Sequence, residues 1–425
     1  MKIDPKKQTS PFNRTTQHDA KRAAILSQAA RLFNSKGSRA TTLKDIAESL
    51  GLTKTSLYYY VKTKEELIYQ CYMATLEQHH QNLDDVEKTH STAINRLGGF
   101  FALHFSNWQA AEENRESHLA ALLEIASLQG ERRAEVETQY ISMFKRLRGF
   151  FRDGIASGEL REFDTNSATR AVLGSVEWSF SWLRNVPREE IAEVATQATN
   201  ILAHGLCAPH STYSAPPLEA QESGATSLEG FNREAQNRLK QEAFYKTGTW
   251  FFNKKGFNGT SLDEIAEHLN VSKGAFYYHI SNKEDLLYNC YWYSLDIMES
   301  IYNRAKDPQN NGLQNIDRTC RRIFIVQNSD QGPLIRYNTI TSLPINRRKK
   351  ILSRTDLHNH HFGDFIRQGI KDGSVREVST AVSVNLIAGA INASMDIKLW
   401  RRVDDLESAA IDYFDIFLNG LLPRT

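Results

Sequence analysis

Apolar residues recur along this chain at the three- and four-residue spacing of helices that bury one face. Ile25, Ala29, Leu32 and Phe33 share such a face, and Gly37 stops the helix that carries them. Thr42 follows as a hydroxyl cap, with Asp45 three residues on and Ile46, Ala47 and Leu50 facing inward, which predicts a helix of about two turns. Gly51 permits a tight turn, Leu52 plugs the corner, and Thr53 caps a third helix running to about Tyr60. Longer amphipathic runs are expected at 64–81, 91–108, 118–129, 133–157, 167–183 and 189–206. Strand signals are scarce, so the expected class is all-α.

The same plan is written twice. Ala29 to Leu67 aligns without a gap to Gly248 to Leu286, pairing Phe33 with Phe252, Asn34 with Asn253, Gly37 with Gly256, Ile46 with Ile265 and Cys71 with Cys290. A second echo sets Gly154, Ile155, Gly158, Arg161 and Glu162 against Gly369, Ile370, Gly373, Arg376 and Glu377, after a shift of a few residues. Such register implies a tandem duplication. Between the copies, 208–230 holds Pro209, Pro216, Pro217, Gly224 and Gly230 among Ser, Thr and Ala, the composition of a linker. The expected division is a basic arm at 1–13, a first helix-turn-helix domain at 14–64 and its regulatory bundle at 65–207. The linker at 208–230, a second helix-turn-helix domain at 231–283 and a second bundle at 284–422 complete it. In the second copy Ser261 and Ser272 are the expected caps, and Asn270 replaces the turn glycine, as a residue that tolerates the left-handed conformation.

Composition adds little until it is read locally. The 425 residues suggest two or three domains, and a hydrophobic fraction of 40% suffices for real cores. The net charge is only +2, yet residues 1–64 carry 13 Lys or Arg against 4 Asp or Glu, and residues 232–283 carry 8 against 5. The first end can therefore attract a polyanion more strongly than the second. No apolar run reaches the length of a membrane span and the first residues are polar, so a cytoplasmic, membrane-free location is expected. Cys71, Cys207, Cys290 and Cys320 have no metal-ligand spacing, which fits a reducing compartment. His358, His360 and His361 lack a convincing further ligand and are expected on a surface turn or helix face; neither a metal nor a cofactor is expected, and no catalytic constellation is recognisable.

Two short helices joined by a three-residue turn, the second rich in small polar, Lys and Tyr residues, suit the major groove. The stretch from Thr42 to Tyr60, continued by Lys62, Lys64, Glu65, Glu66 and Leu67, resembles the DNA-binding domain of the tetracycline-repressor (TetR) family, and Ser261 to Leu286 resembles a second one. The resemblance implies a transcription regulator, in most cases a repressor, whose bundles hold an effector and a dimer surface. It assigns Thr42, Lys54, Tyr59 and Lys64 to phosphates and places Thr53, Thr55, Ser56 and Tyr58 near base edges. Their counterparts are Ser261, Lys273, Tyr278 and Lys283, then Ser272, Gly274, Ala275 and Tyr277.

Thr55 and Ser56 can exchange hydrogen bonds with bases, whereas Gly274 and Ala275 cannot, so an operator read by both modules is expected to be an imperfect palindrome. A degenerate second module, or control by a partner protein, is the alternative. The family pairs two such domains by homodimerisation; here the tandem units can pair within one chain, through faces carrying Ile191, Val194, Ala198, Ile201 and Leu202 and, in the second copy, Leu406, Ala410, Tyr413, Phe414 and Phe417. Homodimers of the whole chain are the other arrangement. For a small apolar or amphipathic effector the candidate walls are Phe105, Trp108, Trp178 and Trp182 in the first bundle, and Tyr337, Asn338, Met395 and Trp400 in the second.

Overall fold

The computed structural model describes residues 11–38, 40–122, 125–218, 233–329 and 332–424. Eight α-helices form the first half: α1 (Pro11–Lys36), α2 (Leu43–Ser49), α3 (Lys54–Tyr58), α4 (Lys64–Thr89), α5 (Ala93–Glu112), α6 (Gly130–Ala156), α7 (Thr165–Trp182) and α8 (Ile191–His204). The second half repeats them as α9 (Arg233–Gly259), α10 (Leu262–His268), α11 (Lys273–His279), α12 (Lys283–Ala305), α13 (Gly312–Asn328), α14 (Ile345–Asp372) and α15 (Thr380–Ala393), with a short α16 (Ile397–Trp400) before α17 (Leu406–Leu418). The class is all-α. No helix among the described residues is long and apolar enough to cross a membrane. Residues 1–10 of the expected arm lie outside the described residues, while 11–13 open α1.

Side-chain caps set most helix starts. Thr42 and Asp45 close a reciprocal capping box on α2, with Asp45 N donating to Thr42 Oγ1 at 3.1 Å and Thr42 N to Asp45 Oδ2 at 2.8 Å. Thr53 receives Ser56 N at 3.1 Å and Ser272 receives Ala275 N at 3.2 Å, which start α3 and α11. Ser261 stands at the start of α10, yet its hydroxyl makes no capping bond. The turn residues Gly51 and Asn270 both adopt positive φ, 65° and 53°. Ile46, Ala47 and Leu57, and likewise Ile265, Ala266 and Phe276, are buried and pin each pair of short helices to the helix before it.

The run at 118–129, expected as a helix, is mostly irregular, with one short 3₁₀ turn at Ile125–Ser127. Its backbone is captured by side chains instead. Asn34 Nδ2 donates to Leu119 O at 2.7 Å and its Oδ1 accepts from Ala121 N at 2.9 Å. Thr75 Oγ1 accepts from Ala120 N at 2.9 Å, and Ser27 Oγ from His118 N at 2.9 Å. The second half repeats this clamp: Asn253 Nδ2 donates to Leu334 O at 2.9 Å, its Oδ1 accepts from Arg336 N at 2.9 Å, and Ser294 Oγ accepts from Ile335 N at 3.0 Å. In each half one asparagine thus ties the end of the first helix to a loop of the bundle.

The halves pack face to face mainly through α7 against α15, with α17 also meeting α7 and α8 meeting α15, while α8 lies chiefly on α5 and α17 on α13. A single buried cluster draws on both halves, including Val172, Val176, Ile201, Leu386, Ala390 and Phe417. Hydrogen bonds are exchanged with near two-fold symmetry. Leu206 N donates to Phe417 O at 2.8 Å and Leu421 N to Leu202 O at 2.9 Å. Arg161 Nε donates to Gly420 O at 2.7 Å, and Arg376 Nε to Gly205 O at 2.6 Å. Gly205 and Gly420 need their positive φ, and a Cβ on Gly420 would stand 2.6 Å from Gly205 N.

The beginning of the expected linker, 208–218, runs along the second half. Tyr213 Oη donates to Asp317 Oδ2 at 2.8 Å, and Arg321 Nη2 donates to Pro216 O at 2.7 Å. Arg321 is fully buried, and it also pairs with Asp317 at 2.6 Å and Glu407 at 2.9 Å. That buried charge network gives Pro-rich chain a fixed path.

Candidate nucleic-acid interface

Two helices, α3 and α11, carry the residues expected to read DNA, and each buries one apolar anchor, Leu57 or Phe276, leaving the opposite face to solvent. Tyr59 is 72% and Tyr278 85% exposed. Each ring touches neighbouring rings, Tyr59 against His18 and Tyr60 and Tyr278 against His279, and a phenol so poorly covered has a hydroxyl that can reach a phosphate. Tyr58 and Tyr277 are also exposed. Thr42, Thr53 and Ser272 accept backbone N–H bonds at their helix starts, which leaves the hydroxyl protons of Thr42 and Ser272 able to point outward. Ser56 shares a 2.8 Å hydrogen bond with Thr53, while Thr55 is exposed.

The lysines divide. Lys54 is exposed, with its ammonium 5.5 Å from the Tyr58 ring centre. Lys64 is half-buried at the start of α4. Lys283, expected on phosphate, donates to Thr260 O at 2.8 Å and lies 4.7 Å from the Phe257 ring, so its charge is directed into its own module. Lys273 pairs with Asp263 at 2.5 Å, and Tyr277 Oη donates to the other oxygen of Asp263 at 3.3 Å. Sequence reasoning missed Asp263, whose counterpart in the first copy is Lys44; the aligned repeats hold that charge reversal in plain view. Gly274 and Ala275 are exposed and present no polar side-chain atom.

Two cavities lie behind these modules. A cleft of about 400 Å³ separates α1 from α5 and is lined by Arg31, Asn34, His104, Trp108, His118, Phe180 and Arg184 among others. A tighter, mostly apolar cavity of about 60 Å³ in the second half is lined by Trp178, Tyr291, Tyr302, Leu334, Tyr337 and Met395 among others. Small-molecule sites run to several hundred Å³, so the first has room as it stands and the second must open. Trp178 crosses from α7 to meet Tyr337, ring centres 5.7 Å apart. Both cavities touch the asparagine clamps, the first through Asn34 and Leu119 and the second through Ser294 and Leu334. Met395 accepts from Arg336 Nε at 3.1 Å, beside Asn253.

Of the expected effector walls, Trp108, Trp178, Tyr337 and Met395 line these cavities. Phe105 and Trp182 do not; they pack on one another with centres 6.0 Å apart inside the core. Trp400 stacks on Phe144 at 4.4 Å, filling the seam between the halves. The side chain of Asn338 is outside the described residues. His358, expected on a surface turn or helix face, is buried in α14 beside Tyr302. Among the described residues no three metal-ligating side chains come together.

Comparison with known proteins finds both modules as sequence matches. A family model described as bacterial regulatory proteins, tetR family, matches residues 25–71 and again 247–289, and one described as tetracyclin repressor-like, C-terminal domain, matches 91–206. The HTH-type transcriptional repressor KstR2 of Rhodococcus jostii is 24% identical over 203 residues, which span 47% of this chain and 98% of that protein. The fatty acid metabolism regulator protein of Bacillus subtilis is 22% identical over 184 residues, 43% of this chain and 93% of its own length. Among solved structures, the regulator PfmR of Thermus thermophilus is 28% identical, with a TM-score of 0.36, covering 42% of this chain and 95% of that one. Each relative is thus about as long as one of the two units.

Proposed function

This chain belongs to the tetracycline-repressor family of bacterial regulatory proteins, with two DNA-binding domains in tandem, and from that premise we propose that a single chain supplies both halves of an operator-binding repressor. The observation that carries the reading is the symmetric exchange in which Leu206 and Leu421 donate to Phe417 and Leu202, and Arg161 and Arg376 to Gly420 and Gly205. In a homodimer such bonds would join two identical subunits. Here they occupy the same faces within one polypeptide. Paired in this way, α3 and α11 enter successive stretches of major groove about one helical turn apart, and the operator is a palindrome with unlike halves.

Regulation comes from an amphipathic effector in the cleft between α1 and α5. Trp108 and Phe180 offer an apolar wall, and Arg31, Arg184 and His118 offer polar contacts at its edge. The effector acts because Asn34 belongs both to the cleft and to the clamp on 119–121. A ligand that favours a displaced Asn34 favours a displaced α1, and with it a DNA-incompetent arrangement.

The test is titration of the purified chain against the DNA upstream of its own gene, with the mass of the complex measured. One chain per protected site is expected. Two chains per site would overturn the intrachain pair, and absence of specific protection both there and in a selection from random sequence would overturn operator binding. An effector screen on the protected complex then seeks compounds that release the DNA.

A further inference from the structure

We propose that Asp263 determines how the two half-sites are weighted: it holds Lys273 and Tyr277 on the protein, so the second module grips its half-site with less charge than the first. The inference rests on the DNA-reading function and goes beyond it by assigning the inequality to one carboxylate. Asp263 lies in the first turn of α10, and one of its oxygens meets Lys273 Nζ at 2.5 Å while the other accepts from Tyr277 Oη at 3.3 Å. Both partners belong to the exposed face of α11, so the acid bridges the two helices of the reading motif.

The first module is an internal control. At the matching position stands Lys44, paired with Glu48 at 3.5 Å within its own helix, and Lys54 has only the Tyr58 ring beside it among the described residues. One substitution therefore changes two things at once. It replaces a cation by an anion on the face turned to the polyanion, and it ties down the neighbouring cation. The hydrogen bond to Lys273 holds the Asp263 carboxyl below its usual range, and the same bond raises Lys273 above its own. Both groups are thus fully charged at neutral pH. The pair is exposed, and an exposed pair is weak enough for phosphate to compete with it. A phosphate that captures Lys273 leaves an uncompensated carboxylate close by, whereas a phosphate that captures Lys54 gains Lys44 as a second cation. With Gly274 and Ala275 supplying no side-chain donors, the second half-site is read mainly by shape and by Tyr278.

The experiment uses the full chain and two probes, a non-specific duplex and a duplex that the wild-type chain has selected from random sequence. Affinity is measured across a salt series for the wild type and for D263N, D263K and K44D, each checked for an unchanged helical signal. Each additional phosphate contact steepens the slope of log affinity against log salt by about 0.9. D263N is expected to steepen it by about that amount and to bind about tenfold more tightly at low salt. D263K is expected to go further, and K44D to do the opposite. In footprints of the selected duplex, protection of the weaker half rises for both Asp263 variants and not for K44D. An unchanged slope for both Asp263 variants would overturn the proposal, as would weakened binding of the selected duplex by D263N, which would make Asp263 a base reader. A wild type that binds neither probe would instead remove the DNA-reading function itself, and this inference with it.

Discussion

Gly174 of α7 and Gly389 of α15 meet where the halves cross: a Cβ on Gly174 would lie 2.7 Å from Gly389 O, and a Cβ on Gly389 would lie 2.6 Å from Gly174 O. Neither position accepts a side chain without separating the helices. The two are equivalent in the repeat, yet their surroundings are not, since Gly174 faces Ala393 and Gly389 faces Trp178. Gly174→Leu is expected to cost at least the 1–3 kcal/mol typical of core overpacking, read as a lower urea midpoint, and to weaken operator binding with α3 untouched. An unaltered midpoint would show that the crossing is not close in solution.

The asparagine clamp makes a second prediction. Asn34→Ala leaves Leu119 O and Ala121 N without their side-chain partner, a loss of about 1–3 kcal/mol for each group that stays buried. Asn34→Asp keeps the acceptor for Ala121 N and loses the donor to Leu119 O, so it is expected to fall between. Denaturation reads the stability. DNA binding at saturating effector reads the coupling, which should shrink in both variants.

Acid should destabilise the chain through His79. Burial holds its imidazole down at about 4, and its Nδ1 has no hydrogen-bond partner among the described residues. Above pH 6.5 the ring is neutral in both the folded and unfolded states. Between 6.5 and 4 only the unfolded state takes up the proton, so this contribution is lost as pH falls, on the order of 3 kcal/mol by pH 4. His79→Gln is expected to flatten the stability profile over that interval. Parallel profiles for wild type and variant would remove His79 as the cause.

Tyr59 and Tyr278 separate DNA contact from folding. Both are highly exposed, so truncation to Ala should change stability by no more than about 0.5 kcal/mol. Each should lower DNA affinity, and the footprint should weaken in one half of the protected site only, a different half for each variant. Loss in both halves from either variant would contradict one module per half-site.

Much of this was legible in the residues. The caps Thr42 and Thr53, the turn at Gly51 and the repeat that carries them are local signals, and they mark where the short helices start and stop. The echo of Arg161 in Arg376 was equally visible, but its purpose was not, because each arginine bonds the other copy's carbonyl and only face-to-face packing reveals that. The segment 118–129 misled for a related reason. Its apolar spacing suits a helix, while Asn34 and Thr75, distant in sequence, take its backbone groups. Aromatic spacing could not tell Trp108, on a cleft, from Phe105, in the core, since both lie on α5 and differ only in what packs against them.

The face-to-face packing of α7 and α15 within one polypeptide also changes how the protein responds to dilution. Two separate subunits fall apart as they become scarce, so their occupancy of a site drops with more than the first power of concentration. Halves joined by residues 208–230 always meet each other at the same effective concentration, and with the proposed one chain per operator, occupancy is expected to follow a simple hyperbola down to a few copies per cell. A mutation, moreover, strikes one half and spares the other. Each reading helix is free to drift with its own stretch of DNA, and the exchange of Lys44 for Asp263 is the kind of divergence that an obligate pair of identical chains could never record.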